Sequence, residues 1–277
     1  MAVAFGTVGL FIIPETSAPR ILQMRAKRLR HETQNWALHA KADENQITLR
    51  TICTIYLMRP WVMFVKEPIL ACLTMYMSCI YGIIYLLFIA YPISFHEERG
   101  WSLGISSLPF ISFIVGIFMG TGLMAWSTAT HFKRAYIKHG RAIPEARLPP
   151  MIVGAVILPI ALFWFAWTSF PSITWVPQVM SSAFIGMSML VTFWQGMNYI
   201  IDCYGFYSNS AIAVNTFIRS IAGAAFPLFA PVMYHKLGVP WATSLLAFLC
   251  LAFIPAPILF YKYGATIRAK SKFAPTV

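Results

Sequence analysis

The sequence predicts an all-α membrane protein: six transmembrane helices preceded by part of another. Three observations predict it. Hydrophobic residues make up 58% of the 277-residue chain and charged residues only 11%, less than half of the about 25% charge usual in a soluble domain. Mean hydropathy is +0.67. Six uninterrupted apolar runs of spanning length lie between Ile69 and Tyr261. A water-soluble globule is excluded. The formal net charge of +12 carries no nucleic-acid signal, because the basic residues gather in alternate connections between the apolar runs, which is the mark of membrane topology.

The first stretch, Met1–Ile13, is apolar but too short to span. It has no basic leader and meets Pro14-Glu15 without a small-residue cleavage site, so it reads as the tail of a helix whose first half is missing (1–14) rather than as a signal peptide. A basic linker follows over 15–67. Within it, Arg20–Ala40 sets Ile21, Leu22, Met24, Leu29, Trp36 and Leu38 among Arg25, Lys27, Arg28 and Arg30. Two readings are open: a basic helix resting on the anionic lipid of the inner leaflet, or a solvated connector. The apolar stretch Ile47–Val65 is broken by Arg50, Arg59 and Pro60 and is expected to lie at the interface rather than to cross.

The expected spans are Ile69–Phe95, Leu103–Thr130, Leu148–Phe170, Pro177–Ile201, Ala211–Tyr234 and Trp241–Tyr261, a bundle over 68–262 with a tail at 263–277. Of the 21 Lys and Arg, 18 fall in the linker, the His131–Arg147 loop and the tail from Lys262. The positive-inside rule therefore places those segments and the Asp202–Ser210 turn in the cytoplasm, with Lys138 and Lys270, and leaves Glu97 and Lys236 outside. Prolines 159, 227, 231, 255 and 257 stand within spans and invite kinks. Gly116 and Gly120 form a GxxxG pair that lets a neighbouring helix approach.

Polar side chains within apolar spans are the candidates for function, because hydrocarbon penalises them. Gln195, Asn198 and Asp202 fall on one helical face of the fourth span, with Tyr199 one turn from Gln195. Asn215 and Arg219 stand one turn apart in the fifth. Asp202 and Arg219 flank a short turn, so an ion pair between the two helices, neutralising both and serving as gate or glue, is expected. In the first span Tyr76, Tyr81 and Tyr85 offer π faces that attract organic cations or simply pack. Gln195, Asn198 and Asn215 are read either as cavity lining or as interhelical glue. The five cysteines and six histidines show no disulfide or metal spacing, and no nucleophile, paired carboxylate or phosphate loop points to an enzyme or a cofactor.

The residues also resemble a family. Pro14-Glu15-Thr16, the linker RAKRLRHETQNWALHAK at 25–41, EPILACLTMYMSCIYGIIYL from Glu67 and RGWSLGISSLPF at 99–110 carry the likeness. So do ARLPPMIVGAVILPIALFWFAWTS at 146–169, NYIIDCYGFYSNSAIAVNTFIRS at 198–220 and the ending FPLFAPVMYHKLGVPWATSLLAF with RAKSKFAP. Together they resemble the C-terminal half of a fungal major facilitator superfamily transporter of the drug:proton antiporter group, which includes polyamine and multidrug exporters. The resemblance implies helices 7 to 12 of a twelve-helix fold, a missing N-terminal half, and a plasma-membrane transporter of small organic, cationic or amphipathic solutes, such as polyamines or drugs, working by alternating access with protons as partner. It also implies a cavity onto which Tyr81, Tyr85, Gln195, Asn198, Tyr199 and Asn215 map. Many relatives carry an acid shortly before the AYP of helix seven, where this chain has Ile89. The competing class is a non-transporting half that acts only by assembling with another chain.

Overall fold

The structure, a computed structural model, describes residues 15–16, 18–43, 52–140, 143–269 and 271–274. The partial helix expected at 1–14 and the tail residue Lys270 lie outside the described residues. No strand occurs among those described. The chain divides after residue 56 into two compact units.

The first unit holds helix α1 (Ala18–Thr33) and a short turn at Lys41–Asp43. An Arg28–Glu32 pair one turn apart lies along the helix surface. The guanidinium of Arg30 donates to the Leu38 carbonyl from two nitrogens, at 3.0 and 2.8 Å, and so folds the following chain back. Ile21, Leu22, Met24 and Trp36 are all exposed, so basic and apolar side chains share the surface of this unit.

The second unit is the bundle. Helix α2 (Arg59–Lys66) is followed by α3 (Pro68–Pro92), α4 (Pro109–Ser127), α5 (Lys133–His139), α6 (Leu148–Trp167), α7 (Trp175–Tyr204), α8 (Ser208–Phe253) and α9 (Pro255–Ala269). Proline stands in the first turn of α2, α3, α4 and α6, where its missing N–H is no loss and its fixed φ suits the helix. Gly140 ends α5 in the left-handed conformation. The helical run Trp175–Ala269 covers 95 residues, far beyond the about 20 needed for one crossing. Gly205 ends α7 with φ 44°, and Gly238, at φ 72° and ψ 160°, breaks α8. The run is therefore three passes, and with α3, α4 and α6 the bundle has the six expected. Pro255 starts α9 after a break at Ile254 instead of kinking one continuous helix.

The core is built by α3, α6, α7 and α8, whose Tyr76, Met77, Tyr91, Phe165, Tyr199 and Tyr234 are fully buried. Helix α4 rides outside on α7 through small residues. A Cβ on Gly116 would collide with the Ala183 carbonyl, one on Gly186 with the Phe113 carbonyl, and one on Gly120 would stand 3.0 Å from the Met187 carbonyl. Glycine is needed there because backbone meets backbone. The short helix α2 buries Pro60 and Met63 against the bundle and sets Trp61 edge-on to Phe217, with ring centres 5.3 Å apart.

Polar contacts gather at the two ends of the bundle. At the basic end, Arg268 grips Glu145 from two nitrogens, the nearest contact being 2.7 Å, and Arg147 donates to Asp202. Glu67 is buried there and accepts the backbone N–H of Lys272 at 3.3 Å and the Tyr204 hydroxyl at 3.5 Å. At the opposite end Arg99 ties the loop between α6 and α7 to the end of α3. Its guanidinium donates to the carbonyls of Ile173 (2.7 Å), Thr168 (2.9 Å) and Phe170 (3.1 Å) and to Gln178 Oε1 (3.2 Å). Gln178 in turn donates to Ser94 Oγ at 2.6 Å.

Candidate functional site

The site is built where α3, α7 and the first arm of α8 face one another. Tyr81 and Tyr85, one turn apart on α3, hold their hydroxyls 3.2 Å apart with the rings edge to face. Gly223 of α8 is buried against them. A Cβ there would stand 2.8 Å from the Tyr81 ring, so only glycine lets α8 come this close. Phe193 of α7 stacks beside Tyr81 with ring centres 6.4 Å apart. Into this pair reaches Arg219, its guanidinium carbon 5.0 Å from the centre of Tyr81 and 4.7 Å from that of Phe193.

The antiparallel register explains the meeting. Phe193 stands eleven residues before the last residue of α7 and Arg219 eleven residues after the first of α8. At 1.5 Å per residue both lie about 17 Å along their helices from the shared turn. This depth also corrects the expected Asp202–Arg219 ion pair. Asp202 stands two residues from the end of α7 and meets Arg147 instead, while Arg219 is three turns deeper. Neighbours across a turn in sequence are not at one level when one of them sits well inside its helix.

Arg219 has no ion pair or hydrogen bond among the described residues, and its Nε is buried without a partner. The guanidinium lies against both rings, a contact worth about 0.5–2 kcal/mol per ring. Its N–H donors lie in the guanidinium plane, and none of them has an acceptor among the described residues.

The remaining sequence candidates divide. Asn215 is fully buried and donates through Nδ2 to Thr74 Oγ1 at 3.2 Å and to the Met77 sulfur at 3.6 Å, tying α8 to α3. Gln195 is buried with Oε1 unpartnered, and Asn198 is half-buried. Tyr199 turns to α9, stacked on Phe260 at 6.3 Å and close to Gly264, away from Tyr81 and Tyr85. Tyr76 stacks on Phe253 within the core. Phe193 was not legible as a site residue, because an aromatic in an apolar span carries no signal until the register sets it opposite Arg219. A surface groove of about 690 Å³ lies in the first unit among Arg20, Lys27, Arg30 and Trp36. It is formed by one helix and the chain that folds back on it.

A bundle of six apolar crossings, with ion pairs at its two ends and one aromatic–cationic patch inside, defines a multi-pass integral membrane protein. The chain belongs to the Major Facilitator Superfamily, whose family model matches residues 1–227. It is similar to the citrinin biosynthesis cluster MFS transporter mrr1 of Monascus ruber, with 55% identity over 272 residues, 98% of this chain and 54% of the relative. The ascochitine biosynthesis cluster MFS transporter of Didymella fabae is 49% identical over 276 residues, 99% of this chain and 53% of that protein. The Major facilitator superfamily multidrug transporter mdrA of Aspergillus fumigatus is 45% identical over 264 residues, 95% and 43% of the two chains. The chain thus spans about half the length of the curated relatives it matches. No solved structure matches it. The family is one of membrane transporters, and the chain is not an enzyme.

Proposed function

We propose that this chain forms the C-terminal six-helix half of an exporter that moves small amphipathic organic molecules across the plasma membrane by alternating access, its basic end in the cytoplasm. The observation that carries the reading is the cluster of Tyr81, Tyr85, Phe193 and Arg219, drawn from three helices to one depth far from either end of the bundle. Two aromatic faces beside a charged edge suit a ring-bearing, polar-edged molecule. Gln195 and Asn198 extend the polar surface along α7 toward the basic end. The names of the relatives tie some of them to biosynthesis clusters, those of citrinin and ascochitine, and one to multidrug transport. A metabolite or drug of that general kind is the solute class we assign.

Proton exchange belongs to the same proposal. All nine acidic residues of the chain lie in the linker, in loops or within a few residues of a helix end. We therefore place the proton-carrying group outside these six helices, in a facing half. The test joins this chain to the N-terminal half of the Monascus ruber relative and follows efflux of a fluorescent aromatic drug from cells. Tyr81→Ala and Phe193→Ala are expected to lower efflux at unchanged amounts of protein in the membrane. Unaltered efflux in both variants would remove the site.

A further inference from the structure

Among the described residues Arg219 is the only Asp, Glu, His, Lys or Arg placed deep within a span, and none of the others neutralises it. It lies about 17 Å along α8 from the nearest helix end. A cation at such depth costs about 2.5–3.5 kcal/mol even by the lenient insertion scales, and such residues face a partner or a water-filled path. The described residues give Arg219 two aromatic faces and no acceptor. The acidic residues described in the bundle lie toward its ends. Asp202 is taken by Arg147, Glu145 by Arg268, and Glu67 by Lys272 and Tyr204 at the basic end, while Glu97 lies 3.7 Å from His235 at the other. Arg99 shows what a satisfied guanidinium looks like here: its nitrogens reach four loop carbonyls and a glutamine.

The rings leave the N–H donors of the Arg219 guanidinium without an acceptor among the described residues. Its planar fork of N–H donors matches a carboxylate or phenolate, and charge-assisted bonds of that kind are roughly twice as strong as neutral ones. Tyr81 and Phe193 add flat surface beside the fork, and the paired hydroxyls of Tyr81 and Tyr85 add donors at its margin. A polyamine or other organic cation would meet a positive edge and find no carboxylate. We infer that the solute is an organic anion, an aromatic acid whose charged group meets the unpaired N–H donors of Arg219 while its ring system lies along Tyr81 and Phe193. This inference rests on the substrate site proposed above and names the charge of what enters it.

The test uses the full chain in lipid nanodiscs, with equilibrium dialysis of three radiolabelled probes of one ring system: 2-naphthoate, the neutral 2-naphthamide and 2-naphthylmethylammonium. The naphthoate is expected to bind tightest and the ammonium weakest, and Arg219→Gln should weaken naphthoate alone by roughly tenfold or more, the loss of a charge-assisted pair. Arg219→Lys, which keeps the charge without the fork, should restore part of that loss, and equal melting temperatures of the variants show that the fold is kept. Tighter binding of the ammonium, or naphthoate binding that ignores Arg219→Gln, overturns the anion while the site stands if Tyr81→Ala and Phe193→Ala still weaken the probes. If no probe binds, or if those two variants change nothing, the site itself fails and the anion with it. The same ranking is expected in the form joined to the N-terminal half of the Monascus ruber relative. If the ammonium wins there, the facing half neutralises Arg219 and the inference is overturned.

Discussion

Arg147 donates through its Nε–H to the Asp202 carboxylate, joining the turn before α6 to the last turn of α7. The guanidinium also lies over the Phe132 ring, 4.2 Å from its centre. Two residues earlier in the same turn, Glu145 receives Arg268 of α9 from two nitrogens. One four-residue turn, Pro144–Arg147, thus holds two helices by opposite charges. Both pairs are mostly buried, with side-chain exposures of 21% and 16% for Arg147 and Asp202 and 15% and 12% for Arg268 and Glu145.

Mostly buried pairs couple more strongly than surface ones, whose worth is about 0–1 kcal/mol. Removing one partner strands the other charge, so Arg147→Gln and Asp202→Asn should each destabilise by about 1–3 kcal/mol, below the 3–5 of a fully buried pair. The double variant should cost clearly less than the two together, since the lone charge is gone. Thermal unfolding in detergent checks this. Strict additivity would show that the two residues do not interact.

The contact between α4 and α7 gives a sharper steric test. Gly116→Ala drives a methyl into the backbone of Ala183, a position no rotamer change can relieve. The helices must separate, and the loss of packing should lower the melting temperature and the yield of folded protein. Gly122, two residues beyond the GxxxG pair, has nothing within 4 Å of where a Cβ would stand, so Gly122→Ala should be neutral or slightly stabilising, alanine being the better helix former. Equal behaviour of the two variants would mean that α4 does not lie on α7 in this register.

How far these features could be read in advance depends on what each signal measures. Hydropathy counts apolar length, so the six spans were legible, and proline and glycine marked most of their ends. The GxxxG pair announced a close approach without saying to which helix. Depth was the missing quantity. Asp202 and Arg219 looked like neighbours because only eight residues of turn were counted between their expected spans. The helices in fact run to Tyr204 and from Ser208, which puts Arg219 beside Phe193 and leaves Asp202 free for Arg147. The Tyr81–Tyr85 pair was readable from i, i+4 spacing alone. Tyr199, one turn from Gln195, looked like part of the same stripe, yet its ring is turned to Phe260. A stripe on one helix does not say which of its edges meets which neighbour.

Sidedness follows from the charge distribution and is open to direct measurement. The basic loop around Lys138 is expected in the cytoplasm, and the end where Glu97 meets His235 is expected outside. In variants freed of the five native cysteines, single cysteines at positions 97 and 236 should react with an impermeant maleimide on intact cells, and one at 138 only after permeabilisation. Reaction at 138 alone in intact cells would invert the bundle.

The last prediction separates glue from lining among the buried amides. A polar side chain facing lipid would lose its hydrogen bonds altogether, so each amide must face a helix or a cavity. Asn215 has found its helix. Its Nδ2 donates to Thr74 across to α3, with the Met77 sulfur beside it. Interhelical bonds of this kind contribute about 0.6 kcal/mol on average and up to about 1.7, and truncation adds a void in a fully buried place. Asn215→Ala should therefore lower the amount of folded protein, and transport per molecule should stay as it was. Gln195 and Asn198 make no such cross-helix bond among the described residues, and Gln195 keeps its Oε1 unpartnered although buried. Asn215 Oδ1 is likewise buried without a partner, so what sets Gln195 and Asn198 apart is the lack of a cross-helix bond, and that favours a role toward water or solute during the transport cycle. Gln195→Ala and Asn198→Ala, in the form joined to a relative's N-terminal half, should then alter the efflux rate or its dependence on drug concentration while the amount in the membrane stays constant. Should both variants lose activity only in proportion to lost protein, as Asn215→Ala is expected to do, the three amides share one structural role and α7 presents no polar stripe to the solute.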